Sequence, residues 1–558
     1  MAWGILPAHS SLQHVPGTVL LEEQSSLDPN RFQHLKKSTH RGETIILVPQ
    51  PSDDPNDPLN WPLWRRDAIM LLYAYCTILV VGGIGPVLSS LALELSLLFN
   101  VSLTKISLLT GYSLCATGAS GLIVSAVSHK YGRRLPLVCS MSLALAGTVW
   151  GGCANSYNSL LGARILQGLS VATFESVIFS VVGDLYYVHE RGVRVAGVTA
   201  VMAGLSNLPP ILAGKIATTL SWRWVFWLLA IFVGIGLGLV ILVGWETAFN
   251  RGAIFNLDLT SQDNLDSVDA KMVACDAEEF QHVEDSKSQA ENTPSGVSEE
   301  ETVRATVSDP AKRKTLIQRM ALFSGNYSKE PFWKLLVGPA FVLYNPAVIW
   351  AVLLMSFPTL WLVAINLLVA QIFAGPPYFL STAELGYLSA GPGIGGVLGS
   401  LASGMLSDPI IKWASRKNKG VYEPEFRLIL ILPAIVMSVI GYVLFGNLIE
   451  AGKSPAGMAT LWGVAGTSLQ FIMMVVGSYT VDAYRDISVE IFIATMVVKN
   501  FVFYGFSYFL NSWMAAWTPA KMFYTVAGIQ VGLCLTTIPI WIFGKKIRAW
   551  WHKPVHKK

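Results

Sequence analysis

The residues best placed to do chemistry are Arg164, Gln167 and Glu175, because they stand in a run otherwise apolar enough to cross a membrane. Ionisable groups in hydrocarbon cost about 2.5–3.5 kcal/mol each on insertion scales, and a chain keeps them mainly where they pair or line a polar path. Arg164 and Glu175 are eleven positions apart. At 100° per residue they lie about 20° from eclipsed and about 16 Å apart along the axis, on one helical face with Gly168 and Val171. A carboxyl on such a face can take up and release a proton and can pair with a polar or cationic solute. The plainer alternative is a glutamate bonded to a neighbouring helix.

That face needs a frame. Of 558 residues, 52% are hydrophobic and 14% charged, a balance that excludes a soluble globular protein. Apolar runs of about 20 residues place spans at 67–92, 104–127, 134–154, 158–184, 193–217 and 224–245. A second set falls at 347–372, 386–406, 427–447, 457–482, 490–513 and 523–544. The runs are continuous rather than alternating, so a barrel is excluded. The expectation is an all-α membrane protein of twelve transmembrane helices in two six-helix bundles, 67–245 and 347–544. Segment 1–66 precedes them, a largely disordered loop at 246–346 joins them, and a basic tail at 545–558 follows.

Basic residues orient the spans. Lys130, Arg133, Arg134, Arg191, Arg194, Lys412, Arg416, Lys417, Arg427 and Arg485 share one side with both termini, whereas the other side has few, such as Lys105 and Lys521. The positive-inside rule then makes both termini cytoplasmic. Asn100-Val-Ser falls on the outside as a glycosylation acceptor, or as an unused one. Segment 1–66 has no apolar signal run, so it does not read as a cleaved leader. The six cysteines have no metal spacing, and five of them lie in spans as small hydrophobes. No HExxH, GxSxG or phosphate loop is present, so neither an enzyme, a cofactor nor a nucleotide-driven pump is expected. A net charge of +4 reflects topology rather than nucleic-acid binding.

The halves echo each other. Span four ends Gly183-Asp184-Leu185-Tyr186 and span ten ends Val481-Asp482-Ala483-Tyr484; Ser125 and His129 after span two match Gly404 and Asp408 after span eight. Such a repeat implies two similar bundles around a shared cavity. Tyr73 and Tyr75 on span one, Asn366 and Gln371 on span seven, and Gln470, Tyr479 and Asp482 on span ten are candidates to line it. Aromatic faces there can hold a cation. Lys499 and Asn500 lie inside span eleven, where the lysine is expected to pair with an acid across the bundle. Gly391, Gly395, Gly396 and Gly399 give span eight a smooth surface for packing.

The loop Ser125-Ala-Val-Ser-His-Lys-Tyr-Gly-Arg-Arg134 resembles the GxLaDRxGRR signature of the major facilitator superfamily. It matches at Lys130, Gly132, Arg133 and Arg134, while Ser125 replaces a glycine and His129 the acid. The resemblance implies a cytoplasmic conformational lock of His129, Lys130, Gly132, Arg133, Arg134, Asp184, Arg191, Asp408 and Asp482, atypical because an imidazole carries no fixed negative charge. Arg164-Ile-Leu-Gln167-Gly168 resembles the RxxQG motif tied to proton coupling. Gly204 through Gly214 is similar to the antiporter motif GPxxGG, with Pro210 and Gly214 matching and Pro209 and Ala213 in place of glycines. Asp53-Asp-Pro-Asn-Asp-Pro-Leu-Asn-Trp61-Pro, Glu246-Thr-Ala-Phe and Gly420-Val-Tyr-Glu-Pro-Glu-Phe-Arg427 resemble the fungal twelve-span drug:proton antiporter branch, leaning toward its organic-cation and polyamine permeases.

What the resemblance implies is a monomeric secondary transporter in the plasma membrane whose partners are a small-molecule substrate, protons and the lipid bilayer. Efflux of a drug or secondary metabolite leads; proton-coupled uptake of an organic cation or polyamine stands second. A non-transporting sensor signalling through the central loop is a third reading, which deletion of 260–330 separates from transport.

Overall fold

The computed structural model describes residues 4–7, 15, 17–20, 37–40, 43–46, 51–52, 54–249, 315–328, 330–418, 421–484 and 487–552. Among these, twelve helical stretches are long and apolar enough to cross a membrane. In the first half they are Leu63–Phe99, Leu103–Tyr131, Arg134–Gly152, Tyr157–Leu185, Gly197–Thr219 and Trp222–Val243. In the second they are Pro346–Phe373, Thr382–Lys417, Pro424–Glu450, Pro455–Ala483, Ser488–Ser507 and Pro519–Trp551. A bilayer forces this choice, because only helices or closed barrels satisfy their own backbone in hydrocarbon.

Spans one, five and twelve are among those that are broken along their length. Span one runs as helix Leu63–Thr77, a π turn at Ile78–Gly82 and, past Gly85-Pro86, helix Val87–Phe99. Span five is split by the 3-10 turn Leu205–Asn207, and Pro209 and Pro210 open the following helix, Leu208–Thr219. There a missing N–H costs nothing. Span twelve is two helices, Pro519–Leu535 and Thr537–Trp551, so it reaches beyond the expected end at 544.

Packing differs between the two ends of the molecule. On the side far from the termini, Leu91, Leu109 and Phe226 of the first half share one core with Trp361, Ile365 and Phe523 of the second. On the termini side each half keeps its own core, one around Met70, Phe174 and Val182, the other around Val348, Ile431 and Phe471. The far side is therefore closed, with the bundles in backbone contact: a Cβ on Gly214 would lie 2.6 Å from the Thr382 carbonyl, and one on Gly386 2.6 Å from that of Pro210. Asn511 also donates to the Ser107 hydroxyl across the seam at 2.7 Å.

The loop expected at 246–346 is in part built. Residues 250–314 lie outside the described residues, but a helix, Phe332–Phe341, precedes span seven. Its apolar run packs against spans two and eleven, which is why it is not loop. Before span one, Val19–Leu20 pairs antiparallel with Val421–Tyr422, and Lys37–His40 with Glu43–Ile46. The Asp-Pro-rich stretch ahead of Trp61 folds into a turn: buried Asp57 accepts from the amides of Leu59 and Ser52, and Asn60 donates to the carbonyls of Ser52 and Asp54.

Candidate functional site

Glu175 on span four meets Lys499 on span eleven. The ammonium donates to Glu175 Oε2 at 3.0 Å, and the side chains are 12% and 19% exposed. The two residues belong to different bundles, so this ion pair ties one half of the molecule to the other. Each charge alone in hydrocarbon is costly, and together they offset that cost only while the geometry holds. Next to Lys499, the Asn500 amide is 1% exposed with neither its nitrogen nor its oxygen bonded, and the Thr173 hydroxyl of span four is likewise unbonded.

Arg164 and Gln167 are placed differently. Arg164 is 1% exposed, and its guanidinium donates to the Ile84 carbonyl at 2.6 Å, the Gly85 carbonyl at 3.5 Å and Gln167 Oε1 at 3.0 Å. Pro86 has no N–H and the break in span one strands carbonyls there; Arg164 satisfies them. Gln167 passes the chain on to the Thr148 hydroxyl at 3.1 Å. Gly168 lets span four touch span two, for a Cβ there would lie 2.1 Å from the Ser113 carbonyl. These residues join spans one to four within the first bundle, so the shared face of Arg164 and Glu175 turns from one set of partners to another along its length.

The remaining pocket candidates scatter. Tyr73 and Tyr479 are each 1% exposed, in the separate cores of the two bundles. Tyr479 meets Trp350 edge-on at 5.6 Å. Tyr75 donates to the Phe232 carbonyl at 3.0 Å and Gln371 to that of Asn511 at 3.1 Å. Gln470 accepts from Ser400 at 3.2 Å, and Asn366 is buried with its oxygen unbonded. Gly204 faces Val397 of span eight, and Asn100 is exposed in the turn between spans one and two.

On the termini side the first bundle carries an ionic node. Arg133 Nε donates to Asp184 at 3.0 Å, and its Nη1 to the Ser128 carbonyl and hydroxyl at 3.0 and 2.9 Å. Glu246 accepts from the amides of Arg133, Arg134 and Ala248 at 2.8, 3.1 and 2.9 Å, capping the helix that starts span three. Burial pushes the Glu246 carboxyl up from its ordinary range, and the three N–H bonds pull it back only in part. Arg134 donates to the carbonyls of Gly244, Ile241 and Met320. His129 stands near Arg133 and Asp184, and Lys130 lies over the Tyr131 ring at 6.0 Å. The Arg191 side chain lies outside the described residues. Asp408 is on the exposed face with Lys412 and Arg416 rather than in this node. Gly132 has φ +94°, and a Cβ there would lie 2.4 Å from Glu246 Oε2. Gly132→Ala is therefore expected to cost about 1–3 kcal/mol and to lower the unfolding midpoint of the purified protein; an unchanged midpoint removes this account of the glycine.

The second bundle repeats the node. Arg427 Nε donates to Asp482 at 2.7 Å, and the Tyr422 hydroxyl bonds the same carboxylate. Behind it, Arg548 donates to Glu425 Oε2 at 2.8 Å and to Glu423 Oε2 at 3.0 Å, and Lys545 also pairs with Glu423. Asp184 and Asp482 thus hold equivalent positions, each with an arginine from the start of the preceding span. Glu246, just after span six, and Arg548, in the last turn of span twelve, close the two nodes with opposite charge. Arg427, Tyr422, Glu423, Glu425 and Arg548 were not singled out from sequence as site residues, although their flanking of apolar runs was visible.

A two-bundle frame of twelve spans with a charge pair across its middle is the architecture of a secondary transporter. The profile of the Major Facilitator Superfamily matches residues 70–486, and the chain belongs to that superfamily as a multi-pass membrane transporter. It is 26% identical to an uncharacterized MFS-type transporter of Schizosaccharomyces pombe, over 97% of this chain and 93% of the relative. It is 24% identical to Protein HOL1 of Saccharomyces cerevisiae, over 96% of each. It is also 24% identical to the MFS transporter cpaT of Aspergillus oryzae, over 89% and 90%. Among solved structures, the proton:xylose symporter XylE superposes with TM-score 0.55 at 16% identity, covering 88% of this chain and all of XylE, a likeness of fold.

Proposed function

We propose that the chain is a proton-coupled secondary transporter that expels a small organic molecule across the plasma membrane by alternating access, with both termini in the cytoplasm. The observation that carries this reading is the Glu175–Lys499 pair, an intramembrane carboxylate that is also a tie between bundles. A proton arriving on Glu175 cancels its charge, frees the Lys499 ammonium and loosens that tie. Loss of the proton restores it. Coupling follows because one event changes both the charge in the cavity and the contact between the halves. The far side is packed and the termini-side cores are separate, which supports a state that loads cargo from the termini side. The fungal branch resemblance of the flanking motifs supports efflux.

Uptake of an organic cation is the second reading. It is favoured by one specific contact: Glu175 already holds an alkylammonium, that of Lys499.

The test begins with the cargo. Comparing metabolites inside and outside cells with and without the gene identifies the molecule and its direction. That molecule, added to proteoliposomes holding the purified protein, is expected to drive proton movement opposite to its own. Cargo movement with no accompanying pH change overturns proton coupling; proton movement in the same direction converts antiport to uptake.

A further inference from the structure

Each termini-side node is covered by a segment that belongs, along the chain, to the other bundle. Residues 4–7 and 17–20 precede span one, yet they pack on the second bundle. Ile5 is 2% exposed there, the Leu6 amide donates to the Ile542 carbonyl at 3.0 Å, and Thr18 donates to Glu423 at 2.8 Å. Val19–Leu20 pairs with Val421–Tyr422. Gly17, at φ +88°, sits so close that a Cβ would lie 2.8 Å from the Asp482 carbonyl and 3.1 Å from Arg548 Nη1. Residues 320–341 lead into span seven, yet they begin on the first bundle. The Tyr327 amide donates to the Lys130 carbonyl at 2.9 Å, Arg134 donates to Met320, and Phe323 meets Tyr131 at 5.7 Å. Burial, with the Glu246 charge beside it, pushes the Tyr327 phenol up to about 12.

We propose that these two segments form a reciprocal clasp that holds the termini-side halves in their present arrangement and must lift before the molecule turns outward. The proposal rests on the alternating-access reading. In the other state the far halves part and the termini-side halves meet, bringing together the ends of spans two, four, ten and eleven. The first segment now lies on the ends of spans ten and twelve and on the stretch before span nine, and the second on the end of span two and the start of span three, so both occupy the termini-side face. The second arm also acts as a short tether. Residues 328–345 are all that separate its anchor at Tyr327 from span seven, and they include the helix Phe332–Phe341 and the 3-10 turn Val342–Tyr344. Their reach is about 40 Å at full extension. Because this arm is anchored on the first bundle and continues into the second, relative movement of the bundles acts on it directly, while the first arm blocks by occupancy.

The clasp is tested by hydrogen exchange of the far-side amides of Val87–Leu95 and Leu385–Leu388 in the purified full chain in lipid nanodiscs. These amides are protected while the far side is closed. Leu20 and Val421 face each other in the antiparallel pair, within reach of a disulfide. Oxidised Leu20→Cys/Val421→Cys protein is expected to exchange about 5-fold or more slowly than the same protein after reduction. Gly17→Val and Tyr327→Ala, which eject one arm each, are expected to exchange about 5-fold or more quickly than the unaltered chain. Equal exchange before and after reduction, with the disulfide formed, overturns the clasp whatever the two loosening variants do to stability. Exchange that responds in protein showing no cargo-driven proton flux sinks proton coupling and leaves the clasp. Flux with indifferent exchange sinks the clasp alone.

Discussion

Arg548→Ala is expected to yield little or no folded protein. The guanidinium is fully buried and binds two carboxylates, Glu423 and Glu425, that are themselves 2% and 0% exposed at the side chain. Its fork reaches both oxygens of Glu425 at 3.0 and 2.8 Å, with Nε at 3.1 Å. Removing it strands two buried carboxylates, of which Lys545 can neutralise only one. Breaking a buried pair costs about 3–5 kcal/mol, against a total stability on the order of 5–15 kcal/mol. Arg548→Lys keeps the charge but loses the planar fork, so an intermediate yield and unfolding midpoint are expected. Wild-type yield and midpoint for Arg548→Ala would mean that the network contributes specificity of packing rather than stability.

Neutralising Glu175 has the largest expected effect on activity. Glu175→Gln should reduce cargo-driven proton flux to the leak of empty vesicles, because the amide cannot carry a proton. It also leaves the Lys499 ammonium unpaired, at a cost of about 2–3 kcal/mol eased by that side chain's partial exposure. Lys499→Met leaves the converse defect. The exchange Glu175→Lys with Lys499→Glu separates the two roles. It restores the tie between bundles, so the unfolding midpoint should recover. It moves the carboxyl from span four to span eleven, so coupled flux should not return. Full flux in the exchanged protein would reduce the pair to a structural link.

The outcome at span four shows how far sequence reaches. Glu175 and Arg164 share a face by periodicity, and both are ionisable in an apolar run. Their partners could not be read. Arg164 serves carbonyls about 80 positions away, exposed only because span one breaks at Gly85-Pro86. Glu175 meets Lys499, 324 positions along the chain. The equivalence of Asp184 and Asp482 was legible because duplicated bundles repeat short motifs at the same place in each half. The helix Phe332–Phe341 was not, because a ten-residue apolar stretch beside a polar loop is too short to register as a span. Arg548 was hidden by the expected end of span twelve at 544, beyond which a lysine- and arginine-bearing stretch reads as a solvated tail.

By itself the sequence determined the twelve spans, their duplication, the side on which the basic residues lie and the rarity of charge within the membrane. Each follows from local composition, since a bilayer accepts only apolar helices that satisfy their own backbone. Only the tertiary structure decided which charges pair, which end of the two bundles is closed, and that each bundle's node is covered by the other bundle's leading segment. Those facts depend on distances between residues remote in sequence, and no periodicity or composition encodes such distances.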